Sequence, residues 1–484
     1  MKKLLYFAVA AMFVFACAPE KKTKNETDMS NNPLLSEFDT PFQVPPFEEI
    51  KPAHYLPAFE TAIAEEEKEI QAITDNKDAP TFENTITALD NAGLLRARVS
   101  HIFFNMTSAH TSDTLQAIAR KVSPMLSKHR DNIKLNQALF ARIKTVHDNK
   151  GGLGLSTAQK TLLEETYKSF VRGGANLTGE DKKRFREINS RLASLTLEFG
   201  ENVLKETNKF KLFIEDEEKL AGLPQSVRDA AAEAAKAEGK DGQWLFTIHK
   251  PSLIPFLQYA QNRELREKMY NAYLNQGDHN NELDNKALIN EIVNLRVERA
   301  QLLGYENHAA YVLEENMART PENVYSKLTE IWEYALPTAQ AEAREMQAII
   351  DEEGGDFKLK PWDWWYYAEK VKKAKYDLDE NETRPYFQLE NVRKGAFDVA
   401  TKLFGISFEE KKNMPVYHED VRVFEVKDQD NSHLGILYMD FHPRASKRGG
   451  AWMTEFRGQR YENGQRVAPV IQVVTNFTKP TGNT

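Results

Sequence analysis

The stretch GEDKKRFREINSRLASLTLEFGENVLKETNKF, residues 179–210, decides the fold class because it has the pattern of one long amphipathic helix. Its apolar residues recur at steps of three or four, the period of an α-helix: Phe185, Ile188, Leu192, Leu195, Phe199 and Val203. Thr178, with Asp181 three residues later, predicts a capping box at the start. A coiled-coil dimer seam is the alternative, but about three heptads beside many other helices favour an internal core face.

Helical patterns fill most of the chain on both sides of this stretch. An earlier helix has one apolar face, made of Tyr55, Leu56, Phe59, Ile63, Ile70 and Ile73. Further helices are predicted over residues 224–236, 253–273, 283–303, 309–316 and 321–350, with a short strand at 244–248. The organisation changes at residues 240–250 without a linker. We therefore expect an N-terminal helical domain over 36–250 and a second domain over 251–484, and we expect the two to share one body.

From Val421 the apolar period changes to two, which is typical of β-strands. Residues 421–426 and 434–441 flank a turn rich in Asp, Asn and Gln, and they predict a hairpin. Residues 451–456 and 467–477 are two further strand candidates. The sequence thus predicts a mainly α protein with a small sheet of about four strands near the C-terminal end of the chain.

Composition excludes several classes of protein. Of 484 residues, 41% are hydrophobic and 28% are charged, which is ordinary for a globular chain with a substantial core. The net charge of −8 does not favour a protein that neutralises DNA or RNA phosphates, so we expect no nucleic-acid partner. The single cysteine rules out an intramolecular disulfide framework.

The amino terminus has the pattern of an export signal. Two lysines precede an apolar run, Leu4 to Ala16, that is too short to span a bilayer comfortably. The run ends at Ala16-Cys17, which resembles the bacterial lipobox. We expect residues 1–16 to be removed, Cys17 to be lipidated and residues 17–35 to form a flexible tether. The body would then lie in the cell envelope, outside the cytoplasm, anchored to a membrane by lipid.

Motifs that carry chemistry are scarce. None of the 11 histidines pairs at i, i+4 spacing around a Glu, as a zinc-binding His-Glu-x-x-His helix requires. The nearest approach, at residues 418–422, has Arg422 in place of the second histidine and runs into a predicted strand. The sequence also has no Gly-x-Ser-x-Gly elbow, P-loop or dinucleotide-binding glycine turn.

Three dense segments remain: residues 299–321, the aromatic cluster at 362–367, and residues 438–480. The aromatic cluster is typical of structural packing. The third segment contains Asp440, Arg444, Lys447 and the pair Gly449-Gly450, whose missing side chains allow a tight turn or a close approach of another backbone.

Taken together, these segments resemble bacterial peptidyl-dipeptidases, which are zinc metallopeptidases related to thimet oligopeptidase and neurolysin. The resemblance runs from about Pro33 to the end of the chain. It is carried by the sequences AQLLGY at 300–305, MARTP at 317–321, WDW at 362–364 with Tyr366-Tyr367, PVYH at 415–418, KRGGAW at 447–452 and NFTKP at 476–480. It implies a neurolysin-like helical body with a deep channel, one zinc ion, and short unfolded peptides as substrates that lose C-terminal dipeptides.

In that family the Asn-Phe-x-x-Pro segment leads into the His-Glu-x-x-His helix, and a Glu ligand follows further downstream. The resemblance therefore implies zinc ligands beyond Thr484 and assigns no metal or catalytic residue within this sequence. We expect residues 1–484 alone to be an inactive N-terminal part of such an enzyme, and we expect a monomer. The alternative is a lipid-anchored helical protein that binds peptides without catalysis.

One hypothesis concerns where the substrate docks. Peptides can bind as an added strand at a sheet edge. Residues 472–476, which include Val474, Thr475 and Asn476, come just before the expected zinc helix, so we predict that they form this edge, near Gly449 and Gly450. The alternative is a buried core strand without ligand contact.

Overall fold

The computed structural model describes residues 32–378, 380–462 and 464–480. The helices are α1 (Pro52–Asp75), α2 (Ala88–Asp90), α3 (Leu94–Ala109), α4 (Asp113–Lys134), α5 (Gln137–Asp148), α6 (Thr157–Arg172), α7 (Gly179–Lys209), α8 (Gln225–Ala237), α9 (Lys250–Tyr259), α10 (Arg263–Leu274), α11 (Lys286–Leu302), α12 (His308–Leu313), α13 (Pro321–Glu352), α14 (Trp364–Tyr376), α15 (Glu380–Thr383) and α16 (Leu389–Phe404). The strands are β1 (Leu212–Ile214), β2 (Trp244–Phe246), β3 (Ser407–Glu410), β4 (Val421–Lys427), β5 (His433–Asp440), β6 (Trp452–Arg457), β7 (Arg460–Glu462), β8 (Gln465–Val467) and β9 (Val470–Val474). The expected mainly helical body with a small sheet near the C-terminal end is confirmed.

The long helix α7 lies inside the body. Its predicted apolar face packs against α11, where Leu192 and Leu195 share a cluster with Ile292 and Leu295. Beside this cluster, Arg184 of α7 binds Glu298 with two hydrogen bonds of 2.6 and 2.8 Å. The internal core face is therefore confirmed.

The capping box predicted at the start of α7 is wrong. Thr178 has extended backbone angles, but its side chain makes no capping hydrogen bond. Glu180 and Asp181 lie in the first turn, where negative charge stabilises the helix dipole. The helix thus begins where expected, with charge in place of the predicted cap.

The main sheet has five strands in the order β3-β4-β5-β9-β6. The predicted hairpin is confirmed, since β4 and β5 pair antiparallel with Val421 opposite Asp440. Strand β9 runs parallel to β5 and antiparallel to β6. The edge strand β3 was not predicted because its sequence, SFEE, has one apolar residue.

One core cluster joins the N-terminal helices to this sheet. Its members come from α1, α3 and α4 and from β4, β5, β6 and β9; examples are Phe59, Phe103, Tyr438 and Val470. Leu34, which lies within the flexible tether expected over residues 17–35, is fully buried in the same cluster. The packed body therefore begins before residue 36, because Leu34 buries an apolar side chain that a tether would leave in water. The predicted signal peptide and Cys17 lie outside the described residues.

A second cluster spans the region where two halves were expected to meet. Strands β1 and β2 pair antiparallel, and their side chains pack with α8, α9 and α10. The boundary at residues 240–250 thus falls within a packed unit. The helix predicted over 253–273 is two helices, because the chain leaves α9 at Ala260 and Asn262 caps α10.

The aromatic segment at 362–367 has the structural role expected of it. Asp363 is fully buried and accepts hydrogen bonds of 2.9 Å from both Arg263 and Arg266. The Arg266 guanidinium lies 4.2 Å from the centroid of the Tyr366 ring. This segment therefore fixes α14 against α10.

Among the described residues, no helix combines the length and the apolar character that crossing a membrane requires.

Candidate functional site

The predicted substrate-docking strand lies in the interior of the sheet. Residues Val470–Val474 pair with β5 on one side and with β6 on the other, so the backbone edges of β9 are already filled. Val474 is fully buried, opposite Asp440 and Trp452. The prediction that residues 472–476 form a docking edge is therefore wrong. Alternation of apolar residues identifies a strand but does not identify its neighbours.

The structure does bring the other predicted site residues together. Beyond the end of β9, the side-chain amide of Asn476 donates to the carbonyl oxygens of Arg448, at 3.2 Å, and Gly450, at 2.6 Å. Thr475 continues the pairing with β5, since its amide donates to the carbonyl of Asp440 at 2.8 Å. Asn476 thus fixes the turn that contains Gly449 and Gly450.

The glycine turn is open to solvent. Both glycines are exposed, and a Cβ atom at either position would meet no atom within 4 Å. Gly450 has φ +102°, a backbone conformation that other residues rarely adopt. Glycine at 450 is therefore required by the turn itself, and the free space beside both residues allows another backbone to approach closely.

The strand that follows this turn, β6, is one of the two edge strands of the sheet, at the end opposite β3. Strand β9 pairs with one side of β6, and among the described residues no strand pairs with the other side. Asn105 of α3 covers part of the outer side by donating to the carbonyl of Glu455 at 2.8 Å. Within a strand, residues two apart direct their backbone groups to the same side. The N–H and C=O of Met453 consequently point outward as well, beside a side chain that is 67% exposed.

A buried ionic cluster supports this end of the sheet. Asp440, the last residue of β5, is fully buried and binds the ammonium of Lys447 at 2.8 Å. The Arg444 guanidinium donates to both Asp440 carboxylate oxygens, at 2.9 and 2.6 Å. Tyr417 donates its hydroxyl to the same carboxylate at 2.7 Å. Three donors therefore hold one carboxylate where β5 ends and the loop to β6 begins.

The carboxylate of Asp440 keeps its charge in the folded protein, whereas burial lowers the pKa of Lys447 beside it. Burial raises the pKa of Asp440, but the hydrogen bonds from Arg444 and Lys447 outweigh burial and leave that pKa below its ordinary value. Burial, with the nearby charge of Asp440, raises the pKa of Tyr417, so its hydroxyl remains a donor. Arg444, Lys447 and Tyr417 all donate to the one carboxylate of Asp440, which makes this cluster a support for the glycine turn.

The same loop is tied to the end of α3. The Arg448 amide donates to the carbonyl of Ser108 at 2.9 Å, and the Thr111 amide donates to the carbonyl of Ser446 at 2.7 Å. The sequence places Asp440, Arg444 and Lys447 in one dense segment but does not reveal that they meet. The available signal was an acidic residue at an inward strand position with cations four and seven residues later.

The described residues do not fit a catalytic zinc ion. Within residues 32–378, 380–462 and 464–480, no three His, Cys, Asp or Glu side chains are grouped so that they could hold a metal. A catalytic zinc site needs three such ligands around an open position.

Comparison with known proteins agrees with the resemblance inferred from the sequence. The profile of Peptidase family M3 matches residues 256–484. Dipeptidyl carboxypeptidase from Escherichia coli (strain K12) is 39% identical over 93% of this chain, and the enzyme from Salmonella typhimurium is 38% identical over 93%. Oligopeptidase A from Escherichia coli is 34% identical over 93%.

This chain spans 66% of the length of each of these three relatives, which is just under two thirds. A solved structure, PZ peptidase A with inhibitor 2, matches 89% of this chain and 61% of its own chain, with 16% identity and a TM-score of 0.44.

The motifs at 300–305, 317–321, 362–364, 447–452 and 476–480 are thus accompanied by identity along nearly the whole chain. The chain belongs to peptidase family M3.

Proposed function

We propose that this chain is part of a zinc-dependent peptidyl-dipeptidase, which hydrolyses short unfolded peptides and releases dipeptides from their carboxyl ends. One observation carries the proposal: identity to dipeptidyl carboxypeptidase is 39%, and identity to oligopeptidase A over the same share of the chain is 34%. A zinc ion in such an enzyme would supply Lewis-acid chemistry at the scissile carbonyl, and no ligand set for it is found among the described residues of this chain. The residues of this chain would contribute peptide binding.

The peptide would bind along β6. A substrate in extended form can add to an exposed strand through main-chain hydrogen bonds. The outward N–H and C=O of Met453 offer such bonds, and the open space beside Gly449 and Gly450 lets the peptide backbone approach. Asn476 and the Asp440 cluster would hold this edge in position.

The activity can be tested with a chimera. Residues 32–484 of this chain would be joined to the last third of Escherichia coli dipeptidyl carboxypeptidase, and the intact Escherichia coli enzyme would be the control. The proposal predicts peptide hydrolysis that a chelator abolishes and added zinc restores. A chimera that melts cooperatively but shows no hydrolysis would contradict the proposal.

We also propose that the 484 residues alone do not cleave peptides. The sequence has no His-Glu-x-x-His pair, and binding alone lowers no barrier unless it favours the transition state. The purified chain, assayed with zinc and a blocked tetrapeptide beside the Escherichia coli enzyme, should release no dipeptide. Chelator-sensitive release at a comparable rate would show that an active site has been missed.

A second candidate, a lipid-anchored peptide-binding protein without catalysis, is not favoured, because the relatives named above all carry peptidase names.

The location of the protein is a separate proposal. An export signal over residues 1–16 and lipid on Cys17 would hold a monomer in the cell envelope, without a nucleic-acid partner. Mass spectrometry of the membrane fraction should find a lipid-modified Cys17 at the mature N-terminus. An unmodified mature protein that starts elsewhere would contradict this proposal.

A further inference from the structure

A large cavity lies among the N-terminal helices, away from the sheet. It has a volume of about 1030 Å³, and its walls come mainly from α3, α4, α6, α7 and α11. A smaller cavity of about 410 Å³ adjoins it and shares Arg130, Lys134 and Arg299. This volume far exceeds the space that a single small ion fills, and it is in the range of cavities that bind organic ligands.

Cations without acidic partners line the larger cavity. Within the described residues, Arg130, Arg296 and Arg299 form no ion pair. The Nε atom of Arg299 is buried and has no hydrogen-bond partner there. Lys134 donates to the Ser169 hydroxyl at 2.7 Å and lies 4.3 Å from the centroid of the Phe170 ring. Four positive groups consequently face one space without a carboxylate bound to any of them.

Burial and the charge of Arg130 lower the pKa of Lys134 to about 8. Burial is the larger of these two causes, and the smaller one is the repulsion between Lys134 and Arg130. An anion between them would relieve that repulsion, since an opposite charge favours the protonated form of a lysine.

The carboxylates around the cavity are mostly occupied elsewhere. Glu66 is buried and binds both Arg96 and His129. Glu165 pairs with Lys168 at 2.7 Å. Asp131 is buried, accepts a hydrogen bond of 2.9 Å from Asn189, and is close enough to Arg130 and Arg299 to attract their charges without forming an ion pair. Asp90 is exposed at the rim. Asp131 thus offsets part of the charge of Arg130 and Arg299, but three arginines and Lys134 still leave an excess of positive charge in the cavity.

We propose that this cavity binds an acidic peptide, whose carboxylates lie against Arg130, Arg296 and Arg299. Guanidinium groups bind carboxylates with paired, directional hydrogen bonds. The apolar side chains of Phe104, Leu126 and Leu192 line the same cavity and suit the carbon skeleton of an organic ligand better than they suit a free inorganic anion. The choice of a peptide rests on the proposed function, whereas the preference for negative charge does not.

The test is a binding measurement that needs no catalysis. Fluorescein-labelled Ala-Glu-Glu-Ala-Glu-Ala and its matched Gln peptide would be titrated with the purified full chain in the presence of a chelator, with fluorescence anisotropy as the readout. We expect the Glu peptide to bind at least about tenfold more tightly than the Gln peptide, and increasingly weakly as salt is added. Because the readout is binding, the result of this test is valid whether or not the peptidase activity is found.

Variants locate the binding in the cavity. Arg130→Gln with Arg296→Gln should weaken binding of the Glu peptide about tenfold or more. Arg344→Gln, an exposed arginine of α13 outside the cavity, should leave it unchanged. Arg130 is exposed, so its substitution alone should be tolerated by the fold. Arg130→Gln alone is therefore the test if the double variant fails to melt cooperatively.

Three results would overturn the proposal. The first is equal affinity for the Glu and Gln peptides. The second is unchanged binding in folded cavity variants, or an equal loss in Arg344→Gln. The third comes from competition, because inorganic phosphate that binds as tightly as the peptide and displaces it would make the ligand a small free anion.

Discussion

At the scale of single residues, Asp440 is the residue near the glycine turn whose loss should destabilise the fold most. Its carboxylate is fully buried with the ammonium of Lys447, which is also fully buried. Asp440→Asn keeps the shape and removes the charge, so Lys447 would remain buried without a counter-ion. We expect a loss of about 3 kcal/mol in the free energy of unfolding, measured by urea denaturation. Asp398→Asn, on the exposed surface of α16, should change it by less than about 0.5 kcal/mol.

The effect of Asp440 should depend on pH in a defined direction. Its pKa is lowered in the folded protein, so its contribution is complete above the ordinary carboxyl pKa of the unfolded chain. That contribution disappears as the pH falls through the lowered value. The stability difference between wild type and Asp440→Asn should therefore narrow below about pH 4. A difference that stays constant on acidification would mean that charge is not its source.

Asn476 is the second residue whose role can be isolated. Asn476→Ala removes both hydrogen bonds to the glycine turn, at Arg448 and Gly450. The expected cost is about 1 kcal/mol per bond or less, because these bonds are partly exposed. Amide hydrogen exchange should become faster at Ala451 and Trp452 and stay unchanged on α6. Asn294→Ala, which removes an exposed hydrogen bond within α11, is the matched control, and equal effects of both changes would contradict the assignment.

At the scale of elements, the role of β6 can be tested through its backbone. In the chimera, Met453→Pro removes an N–H that points away from β9 and leaves the pairing with Val473 formally intact. We expect KM for peptides to rise about tenfold, because that change corresponds to the loss of roughly one well-placed hydrogen bond. Met453→Leu keeps the N–H and should behave like the parent. Unchanged kinetics in a folded Met453→Pro chimera would exclude β6 as the docking edge.

The sequence predicted the bounds of helices and strands better than it predicted which elements pair or pack with each other. The apolar steps of α7 and the alternation of β4 and β5 identified these elements almost to the residue, because helical and strand periods are local properties. Strand β9 was also found, but its position between β5 and β6 depends on a parallel pairing with residues more than 30 positions earlier. Periodicity holds no information about such pairings, and the predicted docking edge failed for that reason.

At the scale of the whole molecule, the helical N-terminal part and the late sheet share one core. Asn105 of α3 bonds to Glu455 across 350 positions of sequence, and Phe103 packs in the same cluster as Val470. The missing linker at residues 240–250 favours one shared body, but composition along the chain does not report which residues of the two parts are in contact. The cationic cavity was missed on the same grounds, since Arg130 and Arg296 lie on α4 and α11.

The proposed peptidase removes dipeptides from the carboxyl end of its substrates. The most direct measurement follows the first product that the chimera releases from an N-terminally blocked hexapeptide, identified by mass spectrometry at early times. The proposed function predicts that the first products are the C-terminal dipeptide and the blocked tetrapeptide. It also predicts that no product is released from the same peptide when a chelator is present. Initial products from internal cleavage into two tripeptides, or single amino acids released from the carboxyl end, would contradict it.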